Sequence, residues 1–281
     1  MSGIICRLAA SLTVPILLIG CAHPASSDDK VEGTTAKGEL ALNANQQPFT
    51  IYAHRGAQTE AYTENTMAAF NAARLAGVRG VEADISLSRD RKFVLMHDDT
   101  LNRTTTCSGE VANRTWHQIR TQCRGKERGE KIPSARHLLR WAERHNMSVL
   151  LETKAKSDWS QADFERLADL MERFSMTQRT ALISFSAQHL RLAKAASSNI
   201  TTQFIVNDLN DVSRLRGEVD AFNLYARHMT PELVADLQAD GLRVLGRNTQ
   251  DPNEWLRIRE AGADGLVTDR ASSAANNSAL N

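Results

Sequence analysis

The sequence predicts an α/β fold, a (β/α)8 barrel, on three observations. Eight short apolar runs alternate with longer stretches of helical period over about 220 residues. Several of the runs end in polar residues, as barrel strands do where their C-terminal ends form a site. The chain of 281 residues is 42% hydrophobic and 24% charged, which suits a soluble domain with a sizeable core. An open doubly wound sheet is the alternative, because alternation alone does not close a barrel. No repeat of about 20 to 50 residues is visible.

Residues 1–20 read as a leader. Arg7 supplies a small positive region, and an apolar run over 8–20 follows, too short to span a bilayer and interrupted by Pro15. The run ends Leu18-Ile19-Gly20-Cys21, which resembles the lipobox of bacterial lipoproteins. That resemblance implies cleavage before Cys21, lipidation of its thiol and attachment to a membrane through the lipid. An ordinary secretory signal peptide is the alternative. Ala22, not an acidic residue, follows the cysteine, so the expected location is the outer membrane, facing the periplasm. Residues 21–48 are polar and read as a flexible tether.

The barrel domain is expected over 49–270. Its strands are read at 49–54, 80–84, 148–154, 181–185, 202–206, 221–225, 243–247 and 265–268, with helices at 65–76, 134–145, 161–174, 187–196, 208–215, 231–240 and 253–261. Ser or Thr before an apolar period, and Pro231 and Pro252 near first turns, mark helix starts. One stretch breaks the alternation. After Asp84 the chain turns at Arg89-Asp90-Arg91-Lys92 and returns over 93–97 with no room for a helix. That return must be antiparallel, a hairpin that brings His97 back to the level of Asp84. Residues 100–131 are too long for a plain loop and read as a small inserted lobe over the barrel mouth. The lobe carries Cys107 and Cys123, and export favours a disulfide between them over two buried thiols. The tail over 271–281, rich in Ser, Ala and Asn, is expected to be disordered.

A net charge of +1 gives no electrostatic basis for nucleic-acid binding, and no motif that reads RNA or DNA is present. Oligomeric state is not legible.

The strand ends collect chemistry. Glu82 and Asp84 lie two apart on one strand, so both carboxylates point to the same side. Two like charges so close need neutralising. One divalent cation does that, with Glu152 as a third oxygen ligand, and an all-carboxylate set suits Mg²⁺ or Ca²⁺ over Zn²⁺. Pairing of these acids with Arg55, Arg103 and Lys154 is the alternative. His54 and His97 each end an apolar strand beside a charged residue and are candidate acid and base. The other histidines read as structural. Arg55 offers two parallel donors to phosphate oxygens. A phosphodiesterase needs this inventory.

His54-Arg55-Gly56, Glu64-Asn65-Thr66, Glu82-x-Asp84, His97-Asp98, Leu101-x-Arg103-Thr104-Thr105, Glu152-x-Lys154 and the run from Asp264 to Asp269 together resemble the glycerophosphodiester phosphodiesterases, over residues 50 to 270. The resemblance implies a distorted TIM barrel that hydrolyses small glycerophosphodiesters to glycerol 3-phosphate and an alcohol. It implies metal ligation by Glu82, Asp84 and Glu152, acid–base work by His54 and His97, and phosphate contacts from Arg55 and Lys154. A lysophospholipase D-like enzyme with the same site, acting on a lipid or an anionic or sugar diester, is the alternative. A lipoprotein with a retired site is a third reading, against which the intact set of histidines and carboxylates argues.

Two departures stand out. Thr63 replaces the usual proline before Glu64-Asn65, and Arg247, Asn248 and Gln250 stand where the family has Trp, Thr and Asn. Arg247 would exchange an apolar wall of the substrate pocket for a cation. The expectation is a substrate-binding residue that favours an anionic or highly hydroxylated group, and a rim arginine paired with Asp251 is the alternative.

Overall fold

The structure, a computed structural model, describes residues 49–56, 61–155, 158–247 and 249–280. The leader, Cys21, the tether and Asn248 lie outside the described residues.

Nine strands are present among the described residues. In chain order they are β1 (Thr50–Ala53), β2 (Gly80–Leu87), β3 (Phe93–Leu95), β4 (Ser148–Thr153), β5 (Thr180–Ser184), β6 (Thr201–Ile205), β7 (Ala221–Tyr225), β8 (Arg243–Arg247) and β9 (Gly265–Thr268). The helices are α1 (Met67–Leu75), α2 (Trp116–Gln122), α3 (Ala135–Arg144), α4 (Gln161–Arg173), α5 (Ala187–Ala196), α6 (Asn210–Leu215), α7 (Pro231–Ala239), α8 (Pro252–Glu260) and α9 (Ala271–Ala275). Eight of the strands run parallel in the order β1-β2-β4-β5-β6-β7-β8-β9, and β9 pairs again with β1. That closure makes a (β/α)8 TIM barrel and rules out the open sheet.

Period-2 alternation sorts each strand into two cores. Val149 and Leu151 of β4 face the helices and join the large outer core, while Leu150 points inward with Tyr52, Ala181, Ile183, Ile205, Leu245 and Val267. Glu152 lies two residues after Leu150 and therefore also points inward, at the mouth. The β2–β4 register sets Asp84 beside Glu152.

Gly265 opens β9 beside Thr50 of β1. A Cβ there would sit well inside contact distance of the Thr50 carbonyl oxygen. Gly265→Ala is therefore expected to lower stability by about 1–3 kcal/mol. The urea midpoint should fall with its slope unchanged, and an unchanged midpoint would contradict this packing.

The β2–β3 hairpin is antiparallel, with a shorter return strand than the sequence suggests. Met96 N still donates to Asp84 O at 3.0 Å, so His97 arrives at the height of the carboxylates. Arg91 takes a left-handed φ of 54° at the turn. Its Nε donates to Asp163 Oδ1 at 3.1 Å, which ties the hairpin tip to the start of α4.

The lobe after the hairpin has a core of its own, with Val94, Met96, Leu101, Val111, Ile119 and Ile132 around Cys123. Cys107 and Cys123 form a disulfide, and a closed capping box on Thr115 and Gln118 starts α2.

The tail is a correction. Residues 271–275 form α9, packed against β1 and β9, with Ala271, Ala274 and Leu280 buried. Small alanines three apart let the helix lie close to the barrel, and Leu280 is returned to the core. The Ser/Ala/Asn composition conceals this because the apolar face is so small.

Candidate active site

The site is assembled at the C-terminal ends of β1, β2, β4, β8 and β9 and at the end of the hairpin. His54 follows β1 directly, and its backbone N donates to Thr268 O at 3.1 Å. Because β1 neighbours β9, Asp269 comes within reach of the imidazole. His54 Nδ1 donates to Asp269 Oδ1 at 2.5 Å, and Gln250 Nε2 donates to Asp269 Oδ2 at 2.7 Å. Burial pushes the His54 pKa down, but the Asp269 hydrogen bond and the Glu82 charge outweigh it, and the net shift is upward.

Arg55 and Asn65 adopt left-handed φ values of 54° and 57°. Asn65 N donates to Arg55 O at 2.9 Å. Arg55 N donates to Glu82 Oε2 at 2.9 Å. Asn65 clamps Asp84, with Nδ2 donating to Oδ2 at 2.8 Å and Oδ1 accepting the Asp84 N–H at 3.0 Å. Thr63 has the backbone N–H that proline lacks. It donates to Glu130 Oε1 at 2.9 Å and so ties this loop to the lobe.

Glu82, Asp84 and Glu152 are all buried, and one oxygen from each lies within 4.8 Å of the others. Lys154 Nζ donates to Asp84 Oδ1 and, at 2.6 Å, to Glu152 Oε1, while Arg55 Nε lies 3.2 Å from Asp84 Oδ2. Glu82 is the acid without enough partners. Its Oε1 is buried with no hydrogen bond. Burial, then the neighbouring Asp84 charge, push its pKa up to about 8. Asp84 shifts the other way, because Lys154 and Arg55 outweigh its burial. Three convergent carboxylates, one holding an orphaned oxygen, fit a hard divalent cation.

His97 completes the site. Its Nδ1 donates to Asp98 Oδ1 at 2.7 Å. Arg103 grips Asp98 with Nε at 2.8 Å and Nη2 at 2.9 Å, and it also donates to Glu64 Oε1 at 2.7 Å and Oε2 at 2.9 Å. Glu64 in turn accepts from Arg55 Nη1 at 3.3 Å. The Arg103 hydrogen bonds, aided by His97, hold the Asp98 carboxyl far below the usual range.

The alternative of paired acids is thus only partly realised. Arg55 and Lys154 pair with the triad, whereas Arg103 pairs with Glu64 and Asp98. Arg247 is not a rim residue. It is buried, and Asp251 instead accepts from Asn253 N at 2.9 Å at the start of α8. His54, Arg55, Glu82, His97, Glu152 and Arg247 share the wall of one cavity of about 140 Å³.

Asp269 and Gln250 were within reach of sequence reasoning but received no role there. The available signal was position, since a carboxylate one residue past a barrel strand faces the mouth. Thr268 Oγ1 donates to Thr249 O at 2.6 Å and holds the Gln250 loop in place.

Residues 54–273 match the glycerophosphoryl diester phosphodiesterase family. The chain is 28% identical over 229 residues to the uncharacterized protein YqiK of Bacillus subtilis, spanning 78% of this chain and 94% of that one. It is 26% identical over 227 residues to a glycerophosphodiester phosphodiesterase of Caldanaerobacter subterraneus, spanning 78% and 93%. Among solved structures, a glycerophosphodiester phosphodiesterase from Agrobacterium tumefaciens superposes with a TM-score of 0.71 at 22% identity, covering 82% of this chain and 100% of that one. A phosphodiesterase from Oleispira antarctica, solved with the product sn-glycerol-3-phosphate, gives 0.69 at 23% identity, covering 80% and 94%. With its barrel, its acidic triad and a family match across most of its length, the chain belongs to the glycerophosphoryl diester phosphodiesterase family and is a phosphodiester hydrolase.

Proposed function

We propose that the protein hydrolyses glycerophosphodiesters to sn-glycerol 3-phosphate and an alcohol, with one divalent cation, Mg²⁺ or Ca²⁺, on Glu82, Asp84 and Glu152. The observation that carries this reading is a single cavity with two carboxylate-held histidines beside an acidic triad. The names of the curated relatives and the product bound by the Oleispira enzyme support the substrate class.

Both histidines have Nδ1 engaged by a carboxylate, which fixes the tautomer and leaves Nε2 as the working nitrogen. Arg55 and Lys154 bind non-bridging phosphoryl oxygens and orient the diester. One Nε2 takes the proton from the attacking oxygen as its bond to phosphorus forms. The other Nε2 gives a proton to the leaving alkoxide as the second P–O bond breaks. The cation supplies electrostatic stabilisation of charge on the phosphoryl oxygens. Among the described residues only Leu75 and Leu209 are large exposed apolar side chains, so the described residues offer no apolar rim to an acylated substrate.

The test is product analysis with glycerophosphoethanolamine. Glycerol 3-phosphate and ethanolamine should form in equal amounts, dependent on added Mg²⁺ or Ca²⁺. Phosphoethanolamine with free glycerol, or no turnover by folded, metal-loaded protein, would overturn this assignment.

A further inference from the structure

The inner wall of the cavity holds a cation that the reaction above does not use. Arg247 is only 4% exposed. Its Nη2 donates to two neutral acceptors, Val206 O at 2.9 Å and Asn207 Oδ1 at 2.8 Å. Its Nε has no partner, and no carboxylate forms an ion pair with it among the described residues. Arg55 and Lys154, the other cations of the site, each pair with carboxylates. A buried guanidinium without a counter-ion is costly. Two aromatic faces offset part of that cost, with the Tyr225 ring centroid 3.9 Å and the Phe185 centroid 5.1 Å from Cζ. Tyr225 is the register partner of Arg247 on β7, so the stack is built into the sheet.

Asn223 lines the same cavity. It is 1% exposed, and its Oδ1 has no hydrogen-bond donor. Glu152 faces the same cavity and its charge acts on Arg247 without forming an ion pair, so among the described residues the guanidinium has no direct anionic partner and Asn223 Oδ1 no donor. The aromatic faces that could hold a quaternary ammonium are already covered by the guanidinium, which repels a cationic group. A volume of about 140 Å³ admits a group of a few carbons, not a long chain.

We propose that Arg247 and Asn223 form a subsite for a small hydroxy acid, so that glycerophosphodiesters are turned over but the preferred substrate is a phosphodiester whose cavity-bound, three-carbon half carries a carboxylate in place of the terminal hydroxymethyl group of glycerol. The carboxylate meets Arg247, and a neighbouring hydroxyl donates to Asn223 Oδ1. This rests on the phosphodiesterase reading, in which the phosphate sits between the histidines at the outer end of the same cavity.

The test compares two matched probes, glycerol 3-phosphate and 3-phosphoglycerate, which differ by a carboxylate in place of a hydroxymethyl group. Calorimetric titration of the full protein, with and without Mg²⁺, should give at least tenfold tighter binding of 3-phosphoglycerate in both conditions. Arg247→Met should abolish that preference, with the larger loss on 3-phosphoglycerate. Equal affinity or a reversed order in the wild type overturns the proposal. So does a preference that survives Arg247→Met, which would assign it to the acidic triad and its ion, or an equal loss for both probes, which would assign Arg247 to the phosphate. Should the methionine variant fail a thermal-melt check, Arg247→Gln carries the same comparison, and a wild-type ratio below tenfold overturns the proposal without either variant. Glycerophosphoethanolamine turnover by the same preparation separates the two readings. Its absence removes the proposed function, whereas turnover without the affinity difference removes only this subsite.

Discussion

Glu82→Gln is expected to eliminate turnover, by about 10³-fold or more in kcat/KM, while leaving the metal-free protein as stable as the wild type or more so. The two halves of this result share one cause. Glu82 is a buried carboxylate with an orphaned oxygen next to another acid, and ionising it in the empty site is unfavourable. An amide of nearly the same shape removes that charge and so relieves the metal-free fold. It also replaces an anionic oxygen ligand of the proposed cation with a weaker neutral one, and that cation is worth several kcal/mol of transition-state stabilisation. The pH dependence follows from the direction of the shift. A carboxyl whose folded pKa, about 8, lies above its unfolded value binds its proton more tightly when folded. The metal-free wild type should therefore lose stability as pH rises from about 4.5 to about 8. Added Mg²⁺ or Ca²⁺ should restore it, and the thermal shift on ion addition should grow over the same range as the competing proton leaves. In Glu82→Gln that pH-dependent part of the shift should vanish. A variant that melts well below the wild type without metal would mean that Glu82 holds the fold together, not the ion.

The second large effect is expected at Asp269. Asp269→Asn should reduce kcat by roughly 10²–10⁴-fold with little change in KM. Asparagine can donate its amide N–H to His54 Nδ1, which forces the hydrogen onto Nε2 and leaves neither ring nitrogen free to accept a proton. The loss should appear in the pH profile as well. Asp269 raises the pKa of His54, so the limb that reports this histidine should move to lower pH in the variant. A large rise in KM with kcat preserved would show that Asp269 serves substrate binding. Gln250→Ala should be milder, since it removes only the 2.7 Å hydrogen bond that steadies Asp269.

The parts of the molecule legible in the sequence are those fixed by local period. Glu82 and Asp84 share a face because they are two apart on a strand, and the hairpin follows from the lack of helical pattern between Asp84 and His97. The eight strands were visible for the same reason. What was hidden depends on which strands become neighbours. Asp269 reaches His54 across 215 positions only because β9 closes onto β1. The aromatic stack on Arg247 draws Tyr225 from β7 and Phe185 from just past β5, so a guanidinium among apolar residues gives no hint of being sheltered. Arg103 could be read as a partner for any nearby acid, and its choice of Glu64 and Asp98 depends on the lobe. The helix α9 escaped notice because its buried face consists of alanines, too small to make an apolar period.

The pairing of the first strand with the last also sets the order in which a newly made chain becomes an enzyme. Synthesis runs from the N-terminus, and by residue 154 the triad, both histidines, Arg55 and Lys154 have all been made. His54 still has no carboxylate to orient it, and the inner barrel has no closing wall, until β9 and Asp269 follow more than a hundred residues later. On the proposed mechanism, hydrolytic competence is therefore acquired at the end of biogenesis. A product truncated anywhere before Asp269 would carry most of the catalytic inventory yet stay silent, so that activity would count finished molecules and not nascent ones.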